Sequence, residues 1–269
     1  MGRRHQKLRQ KKSLGQVFLN TKWPVLKVAD KVTSLKVTRV LEIGPGPGIL
    51  TKELLQRGLK VTAVEKDDRF ADRLKESERF FPENTPGNLE IVNQDVLKFD
   101  LEEWLAQSKE PTAIVGNIPY NISTPILQWA LPFLNEVKCV SFLVQLEFAM
   151  RLAGKVGTKA YGSLSVFTQL RSKVEIDCKV DRACFSPVPK VDSAIVTLTR
   201  SASPLDKKLL QKVELLTRAS FTQRRKILKN AIRPFLADKD EAACPIDLSR
   251  RPDSLRPDEF IELAKFLID

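Results

Sequence analysis

Blocks of apolar and polar residues alternate along the first two thirds of the chain. Short apolar runs rich in β-branched residues, "RVLEIG", "KVTAVE", "LEIVNQD", "TAIVGN" and "CVSFLVQ", predict buried strands. Apolar residues at helical spacing in "VLKVADKV", "ILTKELLQRG", "RFADRLKESERF", "LEEWLAQ" and "TPILQWALPFL" predict the helices around and between them. Strands alternating with helices of this length imply an α/β fold with a parallel sheet covered on both faces. Beyond Gly154 the alternation weakens. "AYGSLSVFTQLRS" reads as a helix, and "KVEIDCKV" and "SAIVTLTR" read as two strands that pair across a long link. After Ser203 the strand signal disappears, and "DKKLLQKVELLTRASF", "QRRKILKNAIRPFL" and "PDEFIELAKFLI" are all amphipathic and helical. The change of composition at "SASP" sets a boundary. The expected organisation is an N-terminal arm at 1–12, an α/β domain at 13–203 and a small all-helical domain at 204–269.

Charge adds a partner to this picture. The net charge is +12, and it is concentrated: residues 1–12 contribute +6, residues 201–235 contribute +7, and the remainder is close to neutral. Two basic zones on an otherwise balanced chain suggest a polyanion such as nucleic acid. No apolar run approaches the roughly 18 residues of a membrane span, so no membrane partner is expected. Four cysteines without a CxxC pair and a single histidine, His5, argue against a metal site and against a His-based triad. Scattered free cysteines favour a reducing, cytoplasmic setting.

Three features at successive strand ends point to a ligand. "LEIGPGPGILT" sets Gly44, Gly46 and Gly48 in a turn from the first sheet strand to a helix, where a missing Cβ lets a ligand approach the backbone. Ile49 breaks the dinucleotide spacing GxGxxG, and the Gly-Lys-Ser/Thr ending of a P-loop is missing. Glu65 ends the second strand, where a carboxylate can accept from both hydroxyls of an unphosphorylated ribose. Asp95 ends the third, where it can accept from an adenine amino group. Ribose and adenine without phosphate, in an acid-lined site, fit S-adenosylmethionine, whose sulfonium is positive.

The fourth strand runs into "GNIPYN". The side-chain oxygen of Asn117 and the carbonyl of Ile118 or Pro119 can each accept an N6–H of an adenine, and so aim the nitrogen lone pair at a methyl group. Pro119 restricts Ile118 to extended geometry. Tyr120 offers a stacking face.

These residues, with "KSLGQVFLN", "VEKD", "AYGSLS", "FSPVPKVDSAI" and "FTQRRKILKNAI", resemble the ribosomal RNA adenine N6,N6-dimethyltransferases over nearly the whole chain, and among them the bacterial small-subunit branch. The resemblance implies a Rossmann-like S-adenosylmethionine-dependent methyltransferase domain followed by a helical rRNA-binding domain. It implies a monomer that dimethylates two adjacent adenines near the 3′ end of 16S rRNA in the small subunit or its precursor, and takes part in assembly. It also implies cofactor contacts from Val17, Leu19, Gly44, Gly46, Glu65, Asp95 and Asn117. Catalytic contacts are implied from Asn117, Pro119, Tyr120 and Phe185, the last closing on the target base opposite Tyr120, and rRNA contacts from Arg224, Arg225, Lys226 and Lys229 on one helix. The chain departs from the family at Val17, where Asn is usual, and at Leu146, where Lys is common; only a backbone contact survives the first change. Three alternatives are a 23S rRNA methyltransferase conferring macrolide resistance, a DNA N6-adenine methyltransferase, and a non-catalytic assembly factor that kept the fold.

Overall fold

The computed structural model describes residues 16–78, 88–201, 206–236 and 239–268, so the basic arm at 1–12 lies outside the described residues. The chain runs through β1 (Phe18–Leu19), α1 (Trp23–Ser34), β2 (Arg39–Ile43), α2 (Ile49–Gln56), β3 (Lys60–Glu65), α3 (Asp68–Glu78), β4 (Leu89–Asn93), α4 (Leu101–Ala106), β5 (Thr112–Asn117), α5 (Ser123–Ala130) and β6 (Cys139–Gln145). It continues through α6 (Leu146–Leu152), α7 (Ser163–Gln169), β7 (Ser172–Val180), β8 (Phe185–Ser186), β9 (Ser193–Arg200), α8 (Lys207–Thr222), α9 (Leu228–Ala231) and α10 (Pro257–Ile268).

Seven strands form one sheet in the order β4-β3-β2-β5-β6-β9-β7. The first five are parallel; β9 joins β6 antiparallel. All five residues of β2 are buried, as expected of a central strand with helices over both faces. From β2 the chain winds outward through β3 to β4, then returns to the other side of β2 for β5 and β6. The order therefore reverses between β2 and β5. Strand ends diverge at such a switch point and leave a crevice beyond their carboxyl ends. β2 and β5 stay close along their length: a Cβ on Gly116 would lie 2.6 Å from the Ile43 carbonyl oxygen.

Contacts divide the chain into two units, one of Met1–Leu146 with Asp177–Leu198 and the other of Glu147–Ile176 with Thr199–Asp269. The boundary expected near 203 differs from this, because 147–176 belongs with the C-terminal helices. The reason is apolar: Tyr161, Val166 and Leu170 are buried in one cluster with Val213, Leu216, Phe260 and Leu263. The pattern of "AYGSLSVFTQL" shows that this segment has an apolar face but not which core the face joins. The first unit has its own core, in which Val28 and Val32 of α1, Leu54 of α2, Val61 of β3 and Val115 of β5 take part.

A second difference lies in the basic stretch. Helix α8 ends at Thr222 and α9 begins at Leu228, so Gln223–Ile227 is a turn and not part of a long helix. Ile227 enters α9 with extended backbone, φ −64° and ψ 152°.

Tyr161 is the largest polar-tipped side chain in the second core, and it is fully buried. Its hydroxyl donates to the Leu255 carbonyl at 2.7 Å, and its ring meets Phe221 edge-on with centroids 5.9 Å apart. Burial pushes the phenol well above its ordinary value, so it stays neutral and donating. Tyr161→Phe leaves a buried carbonyl without its partner and is expected to cost about 1–3 kcal/mol, measured by chemical denaturation. An unchanged midpoint would show that the bond contributes nothing net.

Candidate active site

The loop after β2 is built around three glycines with positive φ, +62° at Gly44, +53° at Gly46 and +82° at Gly48. Two of them also make room: a Cβ on Gly46 would lie 2.8 Å from the Phe18 ring, and one on Gly48 2.7 Å from Leu74. A Cβ on Gly44 would meet nothing within 4 Å, so its bare backbone faces open space on a cavity wall. Glu65, at the end of β3, braces the loop. Its Oε2 accepts from the Gly46 N–H at 3.0 Å and its Oε1 from the Asp67 N–H at 2.8 Å. Burial raises its pKa, and these two backbone donors oppose the rise.

Asn117 ends β5 on the other side of the switch point. Its Nδ2 donates to the Val17 carbonyl at 2.9 Å. Its Oδ1 is buried and accepts from no group among the described residues. The orientation is chemically fixed, since the reverse would set two oxygens against each other. Val17 therefore contributes its carbonyl and not its side chain, so the departure from Asn costs nothing at this contact. The Val17 segment is itself held in place: β1 pairs antiparallel with β8, Leu19 opposite Phe185, and Asn20 donates through its backbone N–H to the Cys184 carbonyl at 2.9 Å.

The cavity at the carboxyl ends of β2, β3 and β5 brings together Val17, Leu19, Gly44, Gly46, Glu65, Asn117 and Pro119 from among the expected residues. Three others are not on its wall. Asp95 caps the following turn by accepting from the Leu97 N–H at 3.1 Å, and it pairs with Lys66 at 2.8 Å. That lysine holds its pKa below the ordinary value. Its chain neighbours Gln94 and Val96 reach the cavity instead. Tyr120 is half-buried, with its hydroxyl 2.6 Å from Ser193 Oγ. Phe185 has no exposed surface and packs among Val180, Cys184 and Ile195 in the core. The Phe185 ring is thus enclosed with its neighbours rather than set on the cavity wall, and its backbone pairing with β1 supports the Val17–Leu19 segment. The Pro119 carbonyl is also engaged, accepting from Ser123 Oγ at 3.1 Å and the Ile122 N–H at 3.2 Å. Of the two carbonyls considered for the base, that leaves Ile118.

Glu42 was not among the expected site residues. It lies in the middle of β2, opposite Ala63 of β3 and Val115 of β5, is 2% exposed, and lines the same cavity. The available signal was a lone charge inside the otherwise apolar "VLEI".

The basic cluster at 224–229 splits into two kinds. Arg224 donates to the carbonyls of Lys159 and Thr158, each at 2.8 Å, and pairs with Asp253 at 3.3 Å. Arg225, Lys226 and Lys229 are exposed, and Lys229 pairs with Glu241 at 2.5 Å.

An apolar cavity at a topological switch point, walled by two buried carboxylates and an open glycine backbone, belongs to a Rossmann-like methyltransferase. The residues fit a cationic adenosyl donor: Lys66, the one described cation on the wall, is turned to Asp95, so a phosphate would find no other described cation there, whereas the buried acids can take up a cationic ligand. The chain uses S-adenosylmethionine and belongs to the ribosomal RNA adenine dimethylase family, whose model matches residues 7–269. It is 38% identical to the ribosomal RNA small subunit methyltransferase A of Porphyromonas gingivalis, over 97% of this chain and 98% of that one. It is 39% identical to the protein of that name from Enterococcus faecalis, over 96% of this chain and 90% of that one. Among solved structures it resembles a dimethyladenosine transferase from Plasmodium falciparum, with a TM-score of 0.72 and 26% identity over 91% of this chain and 95% of that one. It also resembles the 23S rRNA methyltransferase ErmE, with a TM-score of 0.66 and 31% identity over 94% of this chain and all of that one.

The two kinds of basic residue predict different mutant phenotypes. Arg224→Ala strips three partners inside its unit and is expected to lower the thermal midpoint measurably, whereas Arg225→Ala stays within about 0.5 kcal/mol of the parent. Equal melting curves for the two variants would contradict a structural role for Arg224.

Proposed function

We propose that this enzyme dimethylates N6 of two adjacent adenines near the 3′ end of 16S rRNA, in the small ribosomal subunit or its precursor, as a cytoplasmic monomer that also serves assembly. The observation that carries the chemistry is the orphaned Oδ1 of Asn117, buried at the cavity while Nδ2 is tied to Val17. A buried acceptor without a partner is costly unless a donor meets it, and a ligand can supply that donor. An adenine amino group is such a donor. Accepting one N6–H at Asn117 and the other at the Ile118 carbonyl draws the nitrogen away from conjugation with the ring and directs its lone pair. S-adenosylmethionine supplies the electrophilic methyl on a sulfonium. No general base is needed, because the product ammonium can lose its proton to water.

The remaining residues take supporting roles in this reading. Glu65 shapes the glycine loop and receives the ribose hydroxyls on its remaining lone pairs. Asp95 receives the adenine amino group of the donor, which requires Lys66 to share or yield its carboxylate. Tyr120, with its hydroxyl anchored on Ser193, presents the stacking face. The second methylation offers a single N6–H, so Asn117 and Ile118 cannot both be satisfied at that stage. Arg225, Lys226 and Lys229 supply phosphate contacts that position the RNA without reading its sequence.

The small-subunit assignment is supported by the name shared by the two relatives above, 38% and 39% identical over nearly the whole chain. The likeness to ErmE favours one second reading, an adenine of 23S rRNA. Both are tested by offering donor with unmethylated small subunits and with large subunits and mapping reverse-transcriptase stops. Two adjacent stops in 16S rRNA support the proposal, and a stop confined to 23S rRNA supports the alternative.

Asn117→Ala is expected to lower kcat by about 10²–10³-fold, while affinity for the small subunit stays within about threefold. Equal losses in both would contradict the assigned role. Val17→Ala keeps the carbonyl and is expected to keep near-parental kcat.

A further inference from the structure

Glu42 is a carboxyl group with no counterion among the described residues. Its Oε2 is buried without a hydrogen-bond partner, on the wall of the cavity described above. The elements packed around it give little relief. On β3 and β5 its register neighbours are Ala63 and Val115, both apolar. From the first turn of α2 it faces Thr51, whose hydroxyl and backbone N–H favour the charged form only in part and leave Oε2 without a hydrogen bond of normal geometry. The charged group acting on it is Glu65, a second buried acid on the same wall. Lys66, the one described cation on the cavity wall, pairs with Asp95.

A buried carboxylate beside another carboxylate is unfavourable twice over, through lost hydration and through repulsion. Neutralising it removes both costs. The donor carries positive charge on its sulfonium and its ammonium, so its arrival in the cavity reverses the balance.

We infer that Glu42 holds a proton in the ligand-free cavity and releases it to solvent when the positively charged donor binds, so that donor binding and deprotonation of this residue are one linked event. The step balances simply: the carboxyl O–H breaks, its electron pair stays on Oε2 as carboxylate, and the proton passes to buffer. Burial pushes the Glu42 carboxyl up to about 8, with the charge of Glu65 adding to the rise and Thr51 opposing it in part. Donor affinity should accordingly rise with pH below that value, where the empty site must lose a proton, and level off above it. The inference rests on this cavity being the donor site.

Isothermal titration of S-adenosylmethionine into the full chain tests it, at pH 7 in buffers of different ionisation enthalpy. The parent protein is expected to release close to one proton per donor bound, and its affinity to rise by up to about tenfold from pH 6.5 to 7.5. Glu42→Gln, a neutral isostere of the protonated form, is expected to release none and to bind with an affinity that is flat over that range. Difference infrared spectroscopy supplies an independent readout on the parent: a protonated-carboxyl band is expected to vanish on adding donor. Binding with no proton release and no such band would overturn the inference and leave the donor site intact. Unchanged affinity in both Glu42→Gln and Glu65→Ala would instead remove the cavity from consideration as the donor site.

Discussion

One hydrogen bond, between Asn117 Nδ2 and the Val17 carbonyl, makes the site chemically specific. A primary amide has a donor end and an acceptor end, and either can face a cavity. Engaging the donor end with a backbone carbonyl leaves the acceptor end, buried and unpaired among the described residues, as the end available to a ligand donor. The bond spans 100 residues of sequence, so it requires the sheet, the β1–β8 ladder and the glycine loop all to be in place. Phe18 illustrates the dependence: its ring fills the space that the missing Cβ of Gly46 leaves, and it packs edge-on against Phe70 with centroids 5.1 Å apart. The segment that presents the Val17 carbonyl is thereby seated on the loop that would receive the donor.

The electrostatics follow from the same topology. A switch point in a doubly wound sheet exposes strand ends while the strands stay buried, so acids placed there are partly stripped of water. Glu65 survives this with two backbone donors. Glu42 is buried more deeply; Thr51 only partly offsets the rise that burial and the charge of Glu65 cause. Such groups are tolerated where ligand binding relieves them, which is why a buried acid without a cation is informative about the charge of the ligand.

Much of this was legible in the sequence. The alternation of "VLEIG", "KVTAVE" and "TAIVGN" with helical segments is enough to predict a parallel sheet, because strands buried on both faces are apolar throughout. Gly44, Glu65 and Asn117 were recognisable as polar or glycine interruptions at strand ends. What could not be read has a physical cause in each case. The Val17 contact is made by a backbone carbonyl, which every residue type possesses. The enclosure of the Phe185 ring in the core depends on packing, which the residue type does not reveal. Arg224 and Arg225 are adjacent and chemically identical, yet one is tied to Thr158, Lys159 and Asp253 while the other is exposed. The placement of 147–176 with the C-terminal helices depends on which of two cores receives Tyr161 and Val166.

The most direct measurement of the central claim is a crystal structure of the chain with S-adenosylhomocysteine and a short RNA carrying the target adenine. In that structure Asn117 Nδ2 is expected still on the Val17 carbonyl and Asn117 Oδ1 within about 3.2 Å of a flipped adenine N6. An amide turned the other way, or a base held at N6 by other groups while Oδ1 stays unpaired, would contradict it.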